Sequence, residues 1–320
     1  VIMSRQTTSI FMRFARIFAL VVCSINYGAI PSQAAPTLAM PGTLSPFPRP
    51  IEITPGMITI PALSFAIVGD TRPPSADDVS AYPTAIITRI WQDIEAASPR
   101  PLFAVTTGNY MFAEPNHTPG TQNTQLSMYL SARASFSNVV YPAMGSHEYN
   151  GETSGNCDLT QPVGSATGPN ANYTAFLQKM LLPVGKSLPY YTLEFAGPHG
   201  AWTAKFVFIA CNAWSATQAT WLNSVLSQST TYTFIVRNVP TNVTTSPCLS
   251  GSGTNNADTI ISQHPYTLLI VGHTHTFAYY ASSKEVIVGN GGAPLSGNVD
   301  FGYVIASQQA NGSILFNEYD

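Results

Sequence analysis

The sequence predicts an α/β protein with a mixed β-sheet, and three observations support this prediction. Short apolar runs alternate with stretches of helical period, the pattern of strands and helices packed in layers. The runs are rich in β-branched and aromatic residues without polar alternation, as in strands buried on both faces. After residue 272 the runs are shorter and closer together, which indicates an antiparallel section.

The predicted elements follow this pattern along the chain. Six buried strands are predicted at 64–68, 102–106, 139–143, 204–210, 233–236 and 266–271, and four later ones at 277–280, 285–288, 302–306 and 314–317. Helices are predicted at 85–97, 125–136, 172–182 and 216–226, where apolar residues recur at helical spacing. Three polar insertions, 113–124, 149–171 and 241–256, are long enough to frame a site.

Composition limits the class of protein. With 320 residues and 45% hydrophobic content, residues 63–320 are expected to form one domain with a large core. Only 9% of residues are charged and the net charge is -3, so the chain lacks the basic patch that nucleic-acid binding needs. A polar surface of Ser, Thr and Asn suits a secreted protein.

The N-terminal residues 1–34 resemble an export signal. Arg5, Arg13 and Arg16 precede a mostly apolar stretch at 17–30, and cleavage is predicted near Ala34. The stretch is short for a bilayer span, which takes about 20 residues, so no stable span is expected in the mature chain. An uncleaved anchor is the alternative. The predicted address is periplasmic, extracellular or cell-surface.

Residues 35–62 are rich in proline and cannot be helical, so they are expected to form a stiff spacer or a wrapping strand. Among the cysteines after the signal, Cys211 lies in an apolar run and is expected to be a buried free thiol. Cys157 and Cys248 lie in polar loops, and a disulfide between them is predicted.

Five polar clusters follow apolar runs, where a parallel sheet gathers its ligand-binding loops. They are Gly69-Asp70-Thr71-Arg72, Gly108-Asn109-Tyr110, Gly145-Ser146-His147-Glu148, Arg237-Asn238-Val239-Pro240 and Gly272-His273-Thr274-His275. Each cluster alone is a weak signal. Their order and strand-end positions together predict one site, and the i, i+2 spacing of His273 and His275 lets both imidazoles face it.

In these clusters, residues 63–320 resemble the calcineurin-like metallophosphoesterases, particularly secreted members similar to purple acid phosphatases. The supporting segments include FAIVGDTR, AVTTGNYMF, VVYPAMGSHEYNG and LLIVGHTHTF. The resemblance implies a four-layer α/β/β/α sandwich with mixed sheets. It also implies two metal ions that hold a hydroxide for attack on a phosphate ester.

Carried over residue by residue, the resemblance is partial. Asp70, His273 and His275 stand at metal-ligand positions, and His147 stands where the family has a histidine that assists the leaving group. Asn109 replaces the bridging Asp. Four other positions also depart from the family pattern: Arg72 replaces a His, Phe112 a Tyr ligand, Ser146 an Asn and Asn238 a His.

These replacements reduce the negative charge that two divalent ions need. Asp70, Asn109, His273 and His275 are the predicted metal ligands, with Ser146 and Asn238 as weaker candidates. One divalent ion of unknown identity is expected more readily than two, and a site with none is the alternative. His147 and Arg72 are the predicted catalytic residues.

Two interpretations of Arg72 stay open, because its guanidinium can bind phosphate oxygens or simply pair with Asp70 or Asp77. The sequence therefore allows an exported phosphoesterase with an altered metal site, or a catalytically inactive protein that uses the pocket for binding. A small phosphorylated or anionic ligand is the expected partner in either case. A structural or adhesive extracellular protein is a third class, suggested only by composition.

Overall fold

The computed structural model describes residues 2–6, 57–114, 120–149, 155–250, 255–297 and 299–320. The strands along this part of the chain are β1 (Ile2–Gln6), β2 (Ile58–Thr59), β3 (Ser64–Val68), β4 (Phe103–Thr106), β5 (Val140–Pro142), β6 (Tyr191–Ala196), β7 (Thr203–Phe208), β8 (Tyr232–Val236), β9 (Leu268–Val271), β10 (Phe277–Tyr280), β11 (Glu285–Val288), β12 (Tyr303–Gln308) and β13 (Ile314–Tyr319). The α-helices there are α1 (Thr84–Ala96), α2 (Thr121–Arg133), α3 (Ala171–Phe176), α4 (Ala216–Leu226) and α5 (Ala257–Ser262).

The described strands form two mixed sheets. The first has the order β1-β13-β12-β3-β4-β5, in which β3, β4 and β5 are parallel and β12 is antiparallel to both of its neighbours. The second has the order β10-β11-β9-β8-β7-β6-β2, with β7, β8, β9 and β11 parallel. The parallel segments leave their carboxyl ends at one edge of each sheet.

An aromatic layer joins the two sheets. Phe65 on β3 packs against Phe206 and Phe234 on the second sheet, with ring centroids 4.9 and 5.2 Å apart. Phe103 on β4 stacks on Phe195 of β6 at 4.6 Å. Because strand side chains alternate between faces, the intervening Val207 and Ile235 point away from this layer and pack with α4 and α5.

Helices cover the outer faces of the sheets and complete the sandwich. α1 buries Ile87, Trp91 and Ile94, and Trp91 stacks on Phe136 just after α2. On the other side, Leu222 of α4 and Ile260 of α5 lie in the cluster formed with β7, β8 and β9. The predicted α/β sandwich with two mixed sheets is therefore confirmed.

The disulfide prediction was wrong in one partner. Cys248 bonds to Cys211, with Cα atoms 4.8 Å apart, and Cys157 is a buried free thiol. Cys211 lies in a 3-10 turn after β7, and Cys248 lies in the loop after the adjacent strand β8. Parallel neighbours bring these two strand ends together, so the apolar run before Cys211 does not keep this thiol free.

The predicted cleavage site near Ala34 and most of the proline-rich segment lie outside the described residues. Residues 2–6, within the predicted signal, form β1, which pairs in parallel with β13 from Ile2 opposite Leu315 to Gln6 opposite Tyr319. In the described part of the chain, no helix combines the length and apolar character needed to cross a membrane.

Candidate functional site

The polar clusters meet where the ends of the two sheets approach each other. Asp70 follows β3 and Asn109 follows β4, and the Asp70 N–H donates to the Gly108 carbonyl at 3.2 Å. Asn238 follows β8, and its Nδ2 donates across to the Thr107 carbonyl at 2.9 Å. The site is therefore built from strand ends of both sheets. This agrees with the prediction that the polar clusters form one site.

Asp70 is the centre of the site and is fully buried. Its Oδ1 accepts a hydrogen bond of 2.7 Å from Asn109 Nδ2, and its Oδ2 accepts one of 2.6 Å from the His273 backbone N–H. The Nε2 of His275 lies 4.0 Å from Asp70 Oδ1. Both carboxyl oxygens are therefore engaged by donors of the protein itself.

The Asn109 amide has a definite orientation. Its Oδ1 faces the His147 backbone N–H at 3.3 Å and the Ser146 hydroxyl at 3.4 Å. A backbone N–H can only donate, and the Asp70 carboxyl oxygen accepts, so the hydrogen-bond network assigns the oxygen to one side and the NH₂ to the other. Asn109 therefore turns its NH₂ toward Asp70. Its oxygen, the atom that could bind a metal, faces Ser146 and His147 instead.

Glu148 holds the loops that follow β4 and β5. Its carboxylate accepts backbone hydrogen bonds from Asn109 and Tyr110 at 2.8 Å and from Gly145 at 2.7 Å. Burial raises the pKa of Glu148 to about 7, against the lowering effect of these hydrogen bonds. The sequence marked Glu148 only as the neighbour of His147, whereas its role is to position both loops.

The backbone at the site takes an uncommon conformation. Asp70, Asn109, His273 and His275 have positive φ angles of 54°, 60°, 72° and 48°. Non-glycine residues rarely adopt this region, and such conformations concentrate at functional sites. Gly272 allows the close approach, because a Cβ there would lie 2.3 Å from Asp70 Oδ2.

One wall of the pocket is made by Phe112 with two basic side chains. The guanidinium carbon of Arg72 lies 4.6 Å from the centre of the Phe112 ring, and the His147 ring centre lies 4.5 Å from it. Arg72 Nη1 donates to the Pro73 carbonyl at 2.8 Å, while Nε is buried without a hydrogen-bond partner in the described part of the chain. No sequence signal indicated this use of Phe112.

Burial controls the charges of the site. It raises the pKa of Asp70 to about 8, although the hydrogen bonds from Asn109 and His273 and the charge of Arg72 oppose this shift. It lowers the pKa of His275 to about 4, with the Arg72 charge as the second cause, and lowers that of His273 for the same reasons. Near neutral pH the aspartic acid and both imidazoles are thus mostly uncharged, and Arg72 is the cation of the pocket.

These residues do not fit a two-metal centre. The carboxyl oxygens of Asp70 already accept N–H donors, and a metal would also have to displace a proton at neutral pH. Among the described residues, the buried pocket atoms without a hydrogen-bond partner include His273 Nδ1 and Asn238 Oδ1, both of which belong to neutral groups. Within the described residues, no group of three or more His, Cys, Asp or Glu side chains could hold a metal ion.

The structure brings all eight predicted pocket residues to this region of strand ends. They are Asp70, Arg72, Asn109, Ser146, His147, Asn238, His273 and His275. Ser146 and Asn238 are buried and make hydrogen bonds within the protein. The assignment of individual residues as metal ligands or catalytic groups stays a prediction.

Comparison with solved structures shows that the chain has the calcineurin-like metallophosphoesterase fold. It is similar to GAP50, the anchor in the inner membrane complex of Plasmodium, at 16% identity over 80% of this chain and 84% of that one, with a TM-score of 0.51. It is also similar to the purple acid phosphatase PPD1 of yellow lupin, Lupinus luteus, at 15% identity and a TM-score of 0.52.

The second alignment covers 83% of this chain but 55% of the lupin enzyme, so the chain spans about half the length of that protein. A dimetal phosphatase from Danio rerio aligns at 12% identity over 80% of this chain and 99% of that one, with a TM-score of 0.47. The sequence matches no family profile, and no curated protein is significantly similar to it.

Proposed function

We propose that the protein is a catalytically inactive binding protein that uses the phosphoesterase pocket, without metal, for a small phosphorylated or other anionic ligand. The observation that carries this proposal is the pairing of Asp70 with Asn109 Nδ2 and the His273 N–H. Each donor takes one acceptor site on the two carboxyl oxygens that a metal ion would use. A hydrogen-bonded pair therefore takes the place of the metal centre.

The charge of the pocket supports an anionic ligand. Arg72 is cationic, its Nε has no partner among the described residues, and its side chain is held against Phe112. An arginine fork matches phosphate oxygens bidentately. Asp70 adds little opposing charge near neutral pH, because burial raises its pKa to about 8. His147 lies on the same wall and can donate a further hydrogen bond.

Hydrolysis of a phosphate ester at a reduced metal site is the second candidate. The proximity of His275 Nε2 to Asp70 Oδ1, at 4.0 Å, favours it, because a closure of about 0.5 Å would bring both atoms to about 2.0–2.2 Å from one tetrahedral ion. In that case Asp70, Asn109, His273 and His275 hold the ion, His147 assists the leaving group and Arg72 orients the phosphate. The Asn109 amide must then turn its oxygen toward the metal.

Export is part of the proposal. The Cys211–Cys248 disulfide supports an oxidising compartment, in agreement with the signal predicted at residues 1–34. The lupin phosphatase and the Plasmodium anchor share this fold, so both a catalytic and an anchoring role occur on it. The anchoring role is compatible with a non-catalytic pocket here.

Metal analysis of the purified chain, together with hydrolysis of a generic aryl phosphate, tests the proposal. We expect metal well below one ion per chain and no turnover with added Mn²⁺, Zn²⁺ or Fe³⁺. The expected result follows from the two hydrogen bonds that Asp70 accepts and from its raised pKa, both of which oppose metal binding. Two bound ions with turnover would overturn the inactive assignment, and a single ion with turnover would establish the second candidate.

A further inference from the structure

Four Asn-x-Ser/Thr triplets, the acceptor motif for N-linked glycans in exported proteins, occur in the sequence. Their asparagines are Asn116, Asn172, Asn242 and Asn311. Asn116 lies outside the described residues. Of the other three, Asn172 is fully buried, whereas Asn242 and Asn311 are exposed. The structure therefore separates two accessible acceptors from one that the fold encloses.

Asn311 lies at the tip of the hairpin that joins β12 and β13. The Gly312 N–H donates to the Gln309 carbonyl at 2.9 Å, and the Tyr232 hydroxyl donates to the Gly312 carbonyl at 2.6 Å, so the turn is held against the second sheet. Asn311 Oδ1 accepts from the Ser313 N–H at 3.0 Å and from the Ser313 hydroxyl at 2.7 Å. These bonds use the amide oxygen and not the nitrogen that a glycan would occupy.

Asn242 lies in the loop after β8, between two residues that are held to the body of the protein. The Thr241 N–H donates to Glu285 Oε1 at 2.9 Å, and the Thr241 hydroxyl donates to Oε2 at 2.6 Å. Val243, on the other side, packs against the hydrophobic cluster under α4 and α5. Asn242 and Thr244 are themselves exposed, so the triplet is presented to solvent by an anchored loop.

Asn172 shows that the triplet alone is not sufficient. Its Nδ2, the atom to which a glycan is attached, donates to the Ala113 carbonyl at 2.6 Å and to the His147 carbonyl at 3.2 Å. A sugar on this nitrogen would displace at least one of these bonds, and it needs space that a fully buried side chain does not have. The folded chain should therefore leave Asn172 unmodified.

The composition of the surface also favours glycans. Only 9% of the residues are charged, whereas charged side chains are the groups that usually keep a protein surface soluble. N-linked glycans are bulky and solubilising, so they supply hydration without charge.

We propose that N-linked glycans are attached to Asn242 and Asn311 and not to Asn172. In the transfer, the asparagine Nδ2 forms a bond to C1 of an oligosaccharide carried on a lipid pyrophosphate. The bond from C1 to the pyrophosphate oxygen breaks, the lipid pyrophosphate leaves, and the amide loses one proton to the transferring enzyme. Glycosylation at these residues rests on the export in the proposed function, because the transfer takes place in the secretory pathway, but it does not depend on what the pocket binds.

Site-resolved mass spectrometry of the full chain, produced in insect cells and recovered from the medium and the cell fractions, tests this assignment. Peptide-N-glycosidase in heavy-oxygen water converts each glycosylated asparagine to a labelled aspartate. We expect the label at Asn242 and Asn311 and none at Asn172. Asn123, an exposed asparagine on α2 outside any such triplet, should also stay unlabelled.

Asn242→Asp and Asn311→Asp should each remove the label at its own position and leave the other. Asn123→Asp is the matched control and should leave both labels in place. Protein made in bacteria that lack N-glycosylation should have the same melting temperature in all these variants, because the side chains are exposed and an aspartate keeps the oxygen that accepts from Ser313. A lost label then reports the lost acceptor and not misfolding.

The location of the chain distinguishes a failure of glycosylation from a failure of export. A chain that stays in the cytosol without label would overturn both. An exported chain with the Cys211–Cys248 disulfide formed, but without label at Asn242 or without label at Asn311, would overturn the glycan assignment and leave export standing. Label at Asn172 in the folded, exported chain would contradict the selection by burial.

Discussion

Asn109 lies between Asp70 and the loop of residues 145–148, and its amide has two chemically different ends. The oxygen accepts from that loop and the NH₂ donates to Asp70. An aspartate at this position would present acceptors on both sides, as a bridging metal ligand must. In the structure this contact is a hydrogen bond from the Asn109 amide to Asp70.

Asn109→Asp should make the pocket dependent on metal. Without metal, two buried acids then face each other, and we expect the melting temperature to fall. Added Mn²⁺ or Zn²⁺ should restore it, because the paired carboxylates partly neutralise the ion. Thermal unfolding with and without metal measures both effects.

Asn311→Asp provides the control for that experiment, because Asn311 is exposed and its side-chain oxygen already serves only as an acceptor. It should change neither the melting temperature nor its response to metal. If Asn109→Asp behaves like this control, the Asn109 amide does not decide whether the pocket accepts metal.

The buried acids also predict how stability depends on pH. Burial raises the pKa of Asp70 to about 8 and that of Glu148 to about 7, so between pH 6.5 and 8 the folded chain holds protons that the unfolded chain has released. Their stabilising contribution is complete below about pH 4 and is lost as pH rises through 7 to 8. His275, whose pKa is lowered to about 4, acts in the opposite direction below pH 6.5.

Denaturant unfolding between pH 6.5 and 8.5 measures this dependence. The free energy of unfolding should fall with rising pH in the wild type and fall less in Asp70→Asn, which keeps only the Glu148 part. Asp93→Asn changes a half-buried acid on α1 that pairs with Arg89, away from the pocket, and should leave the slope as it is. Equal slopes for all three proteins would show that Asp70 is ionised throughout this range.

For individual residues, the sequence predicted which side chains lie close together, but not which hydrogen bonds and contacts they make. The order of the clusters was enough to place Asp70, His273 and His275 together at strand ends. The direction of the Asn109 amide depends on the His147 backbone N–H, which is fixed only when the loop folds. The contact of Phe112 with Arg72 and His147 arises from loop packing, and no spacing encodes it.

Among the elements, the loop after β8 is tied to the turn after β7 by the Cys211–Cys248 disulfide. Arg237, at the end of β8, is fully buried and pairs with Asp258 of α5 at 2.6 Å. These two connections fix the loop that begins with Asn238. The loop after β8, which forms this side of the pocket, is therefore held in place by a disulfide and an ion pair.

Cys248→Ser should lower the free energy of unfolding by about 4 kcal/mol, the loop-entropy value for a sequence separation of 37 residues. Cys157→Ser changes the buried free thiol and should cost less than the loss of the disulfide. Peptide mapping without reduction should find Cys211 joined to Cys248. A peptide linking Cys157 to Cys248 would contradict the structure and support the pairing inferred from sequence.

The sequence predicted ten strands and four helices close to their observed positions, and the misses have physical reasons. β6 was not predicted, although Tyr191, Leu193 and Phe195 alternate with less buried residues. β6 is the antiparallel partner of β7. Its alternating pattern differs from the continuous apolar runs by which the other buried strands were predicted. α5 has only six residues, too few for a helical period, and its sequence signals are limited to the N-cap Asn256 and the acidic Asp258 in its first turn.

For the whole molecule, two sheets joined by an aromatic layer place the parallel strand ends of both at one rim. The fold therefore gathers the strand-end loops of both sheets in one region. The same sandwich occurs in a plant phosphatase and in a Plasmodium anchor, so the fold alone does not decide activity. The side chains at the strand ends decide it, and here Arg72 lies near Asp70, His273 and His275, which are mostly uncharged near neutral pH.

Calorimetric titration of inorganic phosphate or phenyl phosphate into the full chain, with and without EDTA, tests the central claim most directly. We expect saturable binding that EDTA does not change and that Arg72→Gln weakens about tenfold, because a charge-assisted fork to phosphate is lost. Arg89→Gln, on the exposed side of α1, should bind as the wild type does. Binding that disappears with EDTA and returns with a divalent metal would contradict a metal-free anion pocket.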